Sequence, residues 1–246
     1  MQRSSYGAIA ALFIALAVSP AMAWAVELPA GYRLAQKRVT AQGSELQVLE
    51  DQRISAQMHK DNWGGGQLED AFEEPDDLAE HPLLEARVRL VSASGEEIAQ
   101  EGLGYPLAQI KKAPLKGLPE PVYFLTIDET APMGTYSGPA TQLLQPVQQQ
   151  LKPMSYKSAD GKIQPLTLAH TGKADWKVAT PTAGGADELL QVSSFMEGEG
   201  EGEGEDDFTT RYQTYRFVDG QWQSASSQKK GYWDMESEFP ARAAFP

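Results

Sequence analysis

Cysteine is missing from all 246 residues, and that absence removes several chemistries together. No disulfide framework, no thiolate metal centre and no lipid-modified cysteine is available. Histidine is scarce as well, with only His59, His81 and His170. None of them forms H-x-x-x-H or H-E-x-x-H, the helical spacings that place two imidazoles on one zinc. No resident metal and no cofactor is therefore expected, and no phosphate loop or dinucleotide fingerprint is present. Positive charge is in deficit too. The formal charge of −13 repels phosphate backbones and anionic headgroups, so nucleic acid is not an expected partner.

Long apolar runs are also lacking. Ala8 to Val18 is an eleven-residue run, well short of the ~20 residues a spanning helix needs. Arg3 precedes it, Ser19-Pro20 ends it, and Ala21-Met22-Ala23 is an A-x-A cleavage site. This is the layout of a secretory signal peptide over residues 1–23. Ala23-Trp24-Ala25 offers a second cut. No membrane span is expected after cleavage, and residues 24–246 suffice to bury a core without cross-links.

Helix signals are few. Sixteen prolines and 22 glycines are spread along the chain, which argues against long helices. Residues 67–86 hold a turn or two at most, limited by Pro75 and Pro82. What is there instead is a series of short strands with turn signals between them. Gln42-Gly43, Ser94-Gly95, Asp160-Gly161 and Asp219-Gly220 each sit between alternating segments and predict four hairpins. PVYFLTI (121–127) differs in being apolar on both faces. Val122, Phe124 and Thr126 point one way and Tyr123, Leu125 and Ile127 the other, which places this strand in the middle of the fold. The expected class is all-β, a single antiparallel β-sandwich or open meander with long acidic loops. Residues 24–58 form an N-terminal hairpin, 59–82 an acidic loop with eight carboxylates and three consecutive glycines, and 83–246 the main domain.

The strangest segment is MEGEGEGEGEDDF (196–208). Were it a strand, its glutamates would share one face ~6.8 Å apart, too far to converge on one calcium at ~2.4 Å per ligand. It has neither the EF-hand pattern nor G-G-x-G-x-D. It reads as a mobile hairpin tip over 196–207, with Glu199, Glu201, Glu203, Glu205, Asp206 and Asp207 as weak cation candidates.

The candidate site is IDETAPMGTYSGPATQLL (127–144). It leaves the central strand through Asp128 and Glu129, turns at Pro132 and Gly134, and displays Thr135, Tyr136 and Ser137. The spacing is not that of G-x-S-x-G, and adjacent strand carboxylates face opposite ways. The simpler expectation is a tight connection in which Tyr136 packs over the sheet and Ser137 bonds local backbone. A second cluster comprises Tyr212, Tyr215, Phe217, Trp222, Tyr232, Trp233, Phe239 and Phe245. Exposed Trp222 and Trp233 would offer a sugar-stacking face, whereas buried rings would form the core of the last sheet.

TYSGPATQLL, YRFVDGQW and GYWDMESEFPARAAFP, together with the signal-like start, resemble a group of uncharacterised secreted or periplasmic bacterial proteins. The resemblance covers residues 121 to 246. It implies export and a β architecture and carries no activity. The expectation is a secreted or periplasmic, non-catalytic binding or accessory module whose partner is an envelope protein or a glycan. The alternative is a hydrolase with a site around Asp128, Glu129 and Tyr136-Ser137.

Overall fold

The computed structural model describes residues 26–66, 68–72, 78, 80–147, 150–181, 184–196 and 208–246. The signal segment 1–23 and the acidic run 197–207 lie outside the described residues. Among the described residues the chain is mostly β, with no closed barrel. Numbered in chain order, β1 (Tyr32–Val39), β2 (Glu45–Asp51), β3 (Arg87–Val91) and β4 (Glu97–Gly102) form an antiparallel meander, the first sheet. The N-terminal hairpin joins this sheet through the pairing of β2 with β3.

The second sheet contains β5 (Ala108–Lys112), β6 (Tyr123–Asp128), β7 (Pro139–Val147) and β11 (Thr167–Ala169), with β8 (Gln150–Pro153) also paired to β7. The third contains β9 (Ser155–Lys157), β10 (Ile163–Pro165), β12 (Ala174–Ala179), β13 (Glu188–Met196), β14 (Phe208–Val218) and β15 (Gln221–Lys230). All pairs in it are antiparallel except β9 with β15.

The sheets stack with the second in the middle, and β6 shows why. Its Tyr123, Leu125 and Ile127 pack with Leu46, Val48, Val88 and Leu90 of the first sheet. Phe124, with Val122 just before the strand, packs with Leu189, Tyr215 and Trp222 of the third. Apolar residues on both faces are what a doubly covered strand requires. Thr126 meets Thr141 of β7 through their hydroxyls at 2.9 Å, so this polar side chain of β6 is satisfied inside the sheet. The far side of the third sheet is covered by the C-terminal segment, whose Trp233, Phe239 and Phe245 pack on Leu190, Val192 and Tyr212.

All four predicted hairpins form, as β1–β2, β3–β4, β9–β10 and β14–β15. At the last, Asp219 and Gly220 both have positive φ, 51° and 80°. That is the requirement of a two-residue turn matched to strand twist. One element was not expected. Residues Ala56–Asn62 form helix α1, capped by Ser55, whose side chain accepts from Met58 N–H at 3.0 Å. Its Met58, and Trp63 just beyond it, pack around Ile54, Leu68 and Leu107 in a satellite core. Among the described residues, no helix is long and apolar enough to cross a membrane.

Candidate functional site

The connection from β6 to β7 begins with a buried carboxylate. Asp128 accepts from Gly64 N–H at 2.7 Å through Oδ2 and from the N–H and hydroxyl of Thr130 through Oδ1. It thereby ties the end of α1 to the loop. A Cβ on Gly66 would press on the Ala131 carbonyl, so the two segments are in close contact. Beneath them lies a cavity of about 170 Å³ lined by Leu68, Tyr105, Asp128 and Pro132 among others. Glu129 sits half-buried, and burial pushes its carboxyl above the usual range. Asp128 is taken up by backbone and Thr130, and no hydrogen bond joins it to Glu129, so these two form no paired acid and base.

Ser137 braces its own loop. Its Oγ accepts from Ala131 N–H at 3.1 Å and reaches the Gly134 carbonyl at 3.5 Å. The strand after it lies against His170, whose backbone N–H donates to the Pro139 carbonyl at 2.9 Å. The approach is close enough that a Cβ on Gly138 would collide with the His170 carbonyl oxygen. His170 Nδ1 is 2.8 Å from Asp175 Oδ1. This hydrogen bond outweighs burial and raises the imidazole pKa. A histidine–carboxylate pair therefore stands beside the loop, yet no hydrogen bond links it to Ser137.

Tyr136 does not pack over the sheet. It is 56% exposed, and a lysine from another connection lies over its ring face. Gly172 and Lys173 form a two-residue turn between Thr171 and Ala174. That turn is anchored on three sides. The Lys173 carbonyl accepts from Ser194 N–H at 2.9 Å, the Gly172 carbonyl from Met235 N–H at 3.1 Å, and Thr171 Oγ1 from Lys173 N–H at 3.1 Å. Thr135, from the candidate loop, stands so close that a Cβ on Gly172 would crowd it.

From this fixed turn the Lys173 ammonium projects over three rings. It lies 4.5 Å from the Tyr136 centroid, 4.3 Å from Phe208 and 5.4 Å from Tyr232. It also donates to Tyr136 Oη at 3.3 Å. Phe208 and Tyr232 meet edge to face at 4.8 Å, which stabilises the pair beyond area alone. Each ring attracts the cation by ~0.5–1 kcal/mol at an exposed site. No carboxylate forms an ion pair with Lys173 among the described residues.

No family model, no curated protein and no solved structure matches this chain. The geometry is thus the only guide to its chemistry.

The two tryptophans offer no open face. Trp222 is 1% exposed between the second and third sheets, and Trp233 is 6% exposed beneath the C-terminal segment. Both are core residues, Trp222 within β15 and Trp233 in the segment that follows it, as the large apolar area of the ring favours. The cation candidates Glu199, Glu201, Glu203, Glu205, Asp206 and Asp207 fall outside the described residues. Among the described residues no group of three or more potential metal-ligating side chains converges.

Of the predicted candidates, then, Thr135 and Tyr136 join one surface with Lys173, while Asp128 and Ser137 hold the loop that presents it. Lys173, His170 and Asp175 were missed. The signal for the last two was present in HTGKAD (170–175), because a two-residue turn after Thr171 makes His170 and Asp175 cross-strand neighbours.

Proposed function

We propose that this chain is an exported, non-catalytic binding module of the bacterial envelope that holds an acidic glycan on the Tyr136–Lys173 surface. The observation carrying this reading is the Lys173 ammonium, set among three aromatic rings and without a carboxylate against it among the described residues. An ammonium beside exposed ring faces suits a sugar acid. The carboxylate reaches the charge and the apolar face of the sugar ring lies on the aromatic. Tyr136 and Tyr232, at 56% and 38% exposed, are the open rings. His170, three positions before Lys173, is engaged by Asp175 and leaves the charge of the surface to Lys173. The net charge of −13 opposes such a ligand, so binding depends on the Lys173 ammonium to offset that repulsion locally.

The hydrolase reading has less support, since Ser137 is engaged by its own loop and Asp128 by Gly64 and Thr130. The test is calorimetric titration of the chain lacking residues 1–23 with oligogalacturonate and with a neutral oligosaccharide of equal length. Binding of the acidic sugar alone, weakened by Lys173→Met and Tyr136→Ala, supports the proposal. Equal binding of both sugars, or of neither, overturns it.

A further inference from the structure

A second feature lies at the opposite side of the stack. The outer face of the first sheet is crossed by the segment starting at Val26, and between this segment and the strands runs a groove of about 510 Å³. That is the size of small-ligand sites, roughly 300–1,000 Å³, which combine apolar walls with a few placed polar groups. The apolar walls are Val26, Leu28, Leu34 and Val91, and the polar groups are Arg89, Gln47, Ser92 and the Lys37–Glu45 pair, whose charges offset each other at 3.1 Å. Leu28 and Leu34 are each 39% exposed, so the apolar lining is open to solvent.

Arg89 is the unusual member. The residue is 2% exposed, and arginine is rarely buried so far without a full partner. Its Nε donates to Gln47 Oε1 at 2.8 Å, across the Gln47–Arg89 strand pair. Nη1 donates to the Glu27 carbonyl at 3.2 Å and lies 3.6 Å from Glu97 Oε2. Glu97 is a loose counterion, with its side chain 40% exposed. No acceptor meets Nη2 among the described residues. The buried guanidinium thus lines the groove with one nitrogen uncommitted among the described residues. Planar N–H donors in this position fit a carboxylate.

We propose that this groove binds a small amphiphilic carboxylate, with its anionic head on Arg89 Nη2 and its apolar body along Leu28, Leu34 and Val91. The site is independent of the Tyr136–Lys173 surface. The ligand class is a medium-chain carboxylic acid, and decanoate is the probe.

The experiment is calorimetric titration of the chain lacking residues 1–23 with decanoate, decanol and acetate. Decanoate binds, while decanol and acetate bind at least about tenfold more weakly, because each lacks one half of the recognition; one charge-assisted hydrogen bond accounts for such a factor. Arg89→Met abolishes the preference of decanoate over decanol. Should that variant fail to fold, Leu34→Glu serves instead. It changes a partly exposed wall residue, places like charge in the groove, and lowers decanoate affinity by about tenfold or more. Lys173→Met leaves decanoate binding unchanged, which separates this result from the glycan reading. Equal binding of decanoate and decanol, no decanoate binding, or wild-type affinity in Leu34→Glu overturns the proposal.

Discussion

His59 Nδ1 lies 2.7 Å from Glu50 Oε1, and the Glu50 side chain is completely buried. The same carboxylate accepts from Arg33 Nη2 at 2.7 Å through its other oxygen. The pair ties α1 to the end of β2, and His59 stacks on Trp63 with ring centroids 5.3 Å apart. Removing the carboxylate leaves Arg33 and His59 without their shared acceptor. Breaking a buried network from one side costs ~3–5 kcal/mol. Glu50→Ala is expected to lower the melting temperature by about 6–20 °C, at ~2–4 °C per kcal/mol for a chain of this size. An unchanged melting curve would remove Glu50 from the stabilising groups.

Lys173 and Tyr136 should be energetically coupled. A double-mutant cycle with Tyr136→Leu and Lys173→Met, read by urea denaturation, is expected to give a coupling of ~0.5–1 kcal/mol. Additive effects would mean that the contact contributes nothing to stability.

The His170–Asp175 pair predicts a pH dependence with a definite sign. The hydrogen bond to Asp175 raises the folded-state pKa of His170 above its ordinary value of 6.5. Its stabilisation is therefore full below that ordinary value and is lost as pH rises through the raised one. In an NMR titration the His170 ring should show a midpoint above 6.5, moving down in Asp175→Asn. The melting-temperature difference between wild type and Asp175→Asn should shrink across the same interval. A midpoint that Asp175→Asn does not move would assign the shift elsewhere.

Trp222 carries a buried Nε1 with no hydrogen-bond partner among the described residues. Trp222→Phe loses ring area but also removes an unsatisfied donor worth ~1–3 kcal/mol. It should therefore lie within about 1.5 kcal/mol of wild type, whereas Trp222→Ala should cost ~3–5 kcal/mol. Chemical denaturation of the two variants decides this. A Phe variant as unstable as the Ala variant would show that indole shape, not apolar volume, holds the core.

The hairpins and the central strand were legible from residue order because their causes are local. Asp219-Gly220 adopts the left-handed backbone its turn needs whatever surrounds it. Alternation along Tyr123–Asp128 assigns each side chain a face before any partner sheet is known. Helix α1 was not legible, since AQMHKDN has no long apolar stripe and is too short to be stable alone. It persists through Met58 and the neighbouring Trp63 in the satellite core and through the His59–Glu50 contact. Both candidate sites belong to the same category. Lys173 and Tyr136 are 37 positions apart, and Arg89 is 62 from Glu27. Turn chemistry and strand period act over a few residues, while the stacking of sheets follows from burying apolar faces against one another over long sequence separations. The strands and their faces came from the first kind of information. The ring-flanked lysine and the half-partnered arginine came from the second.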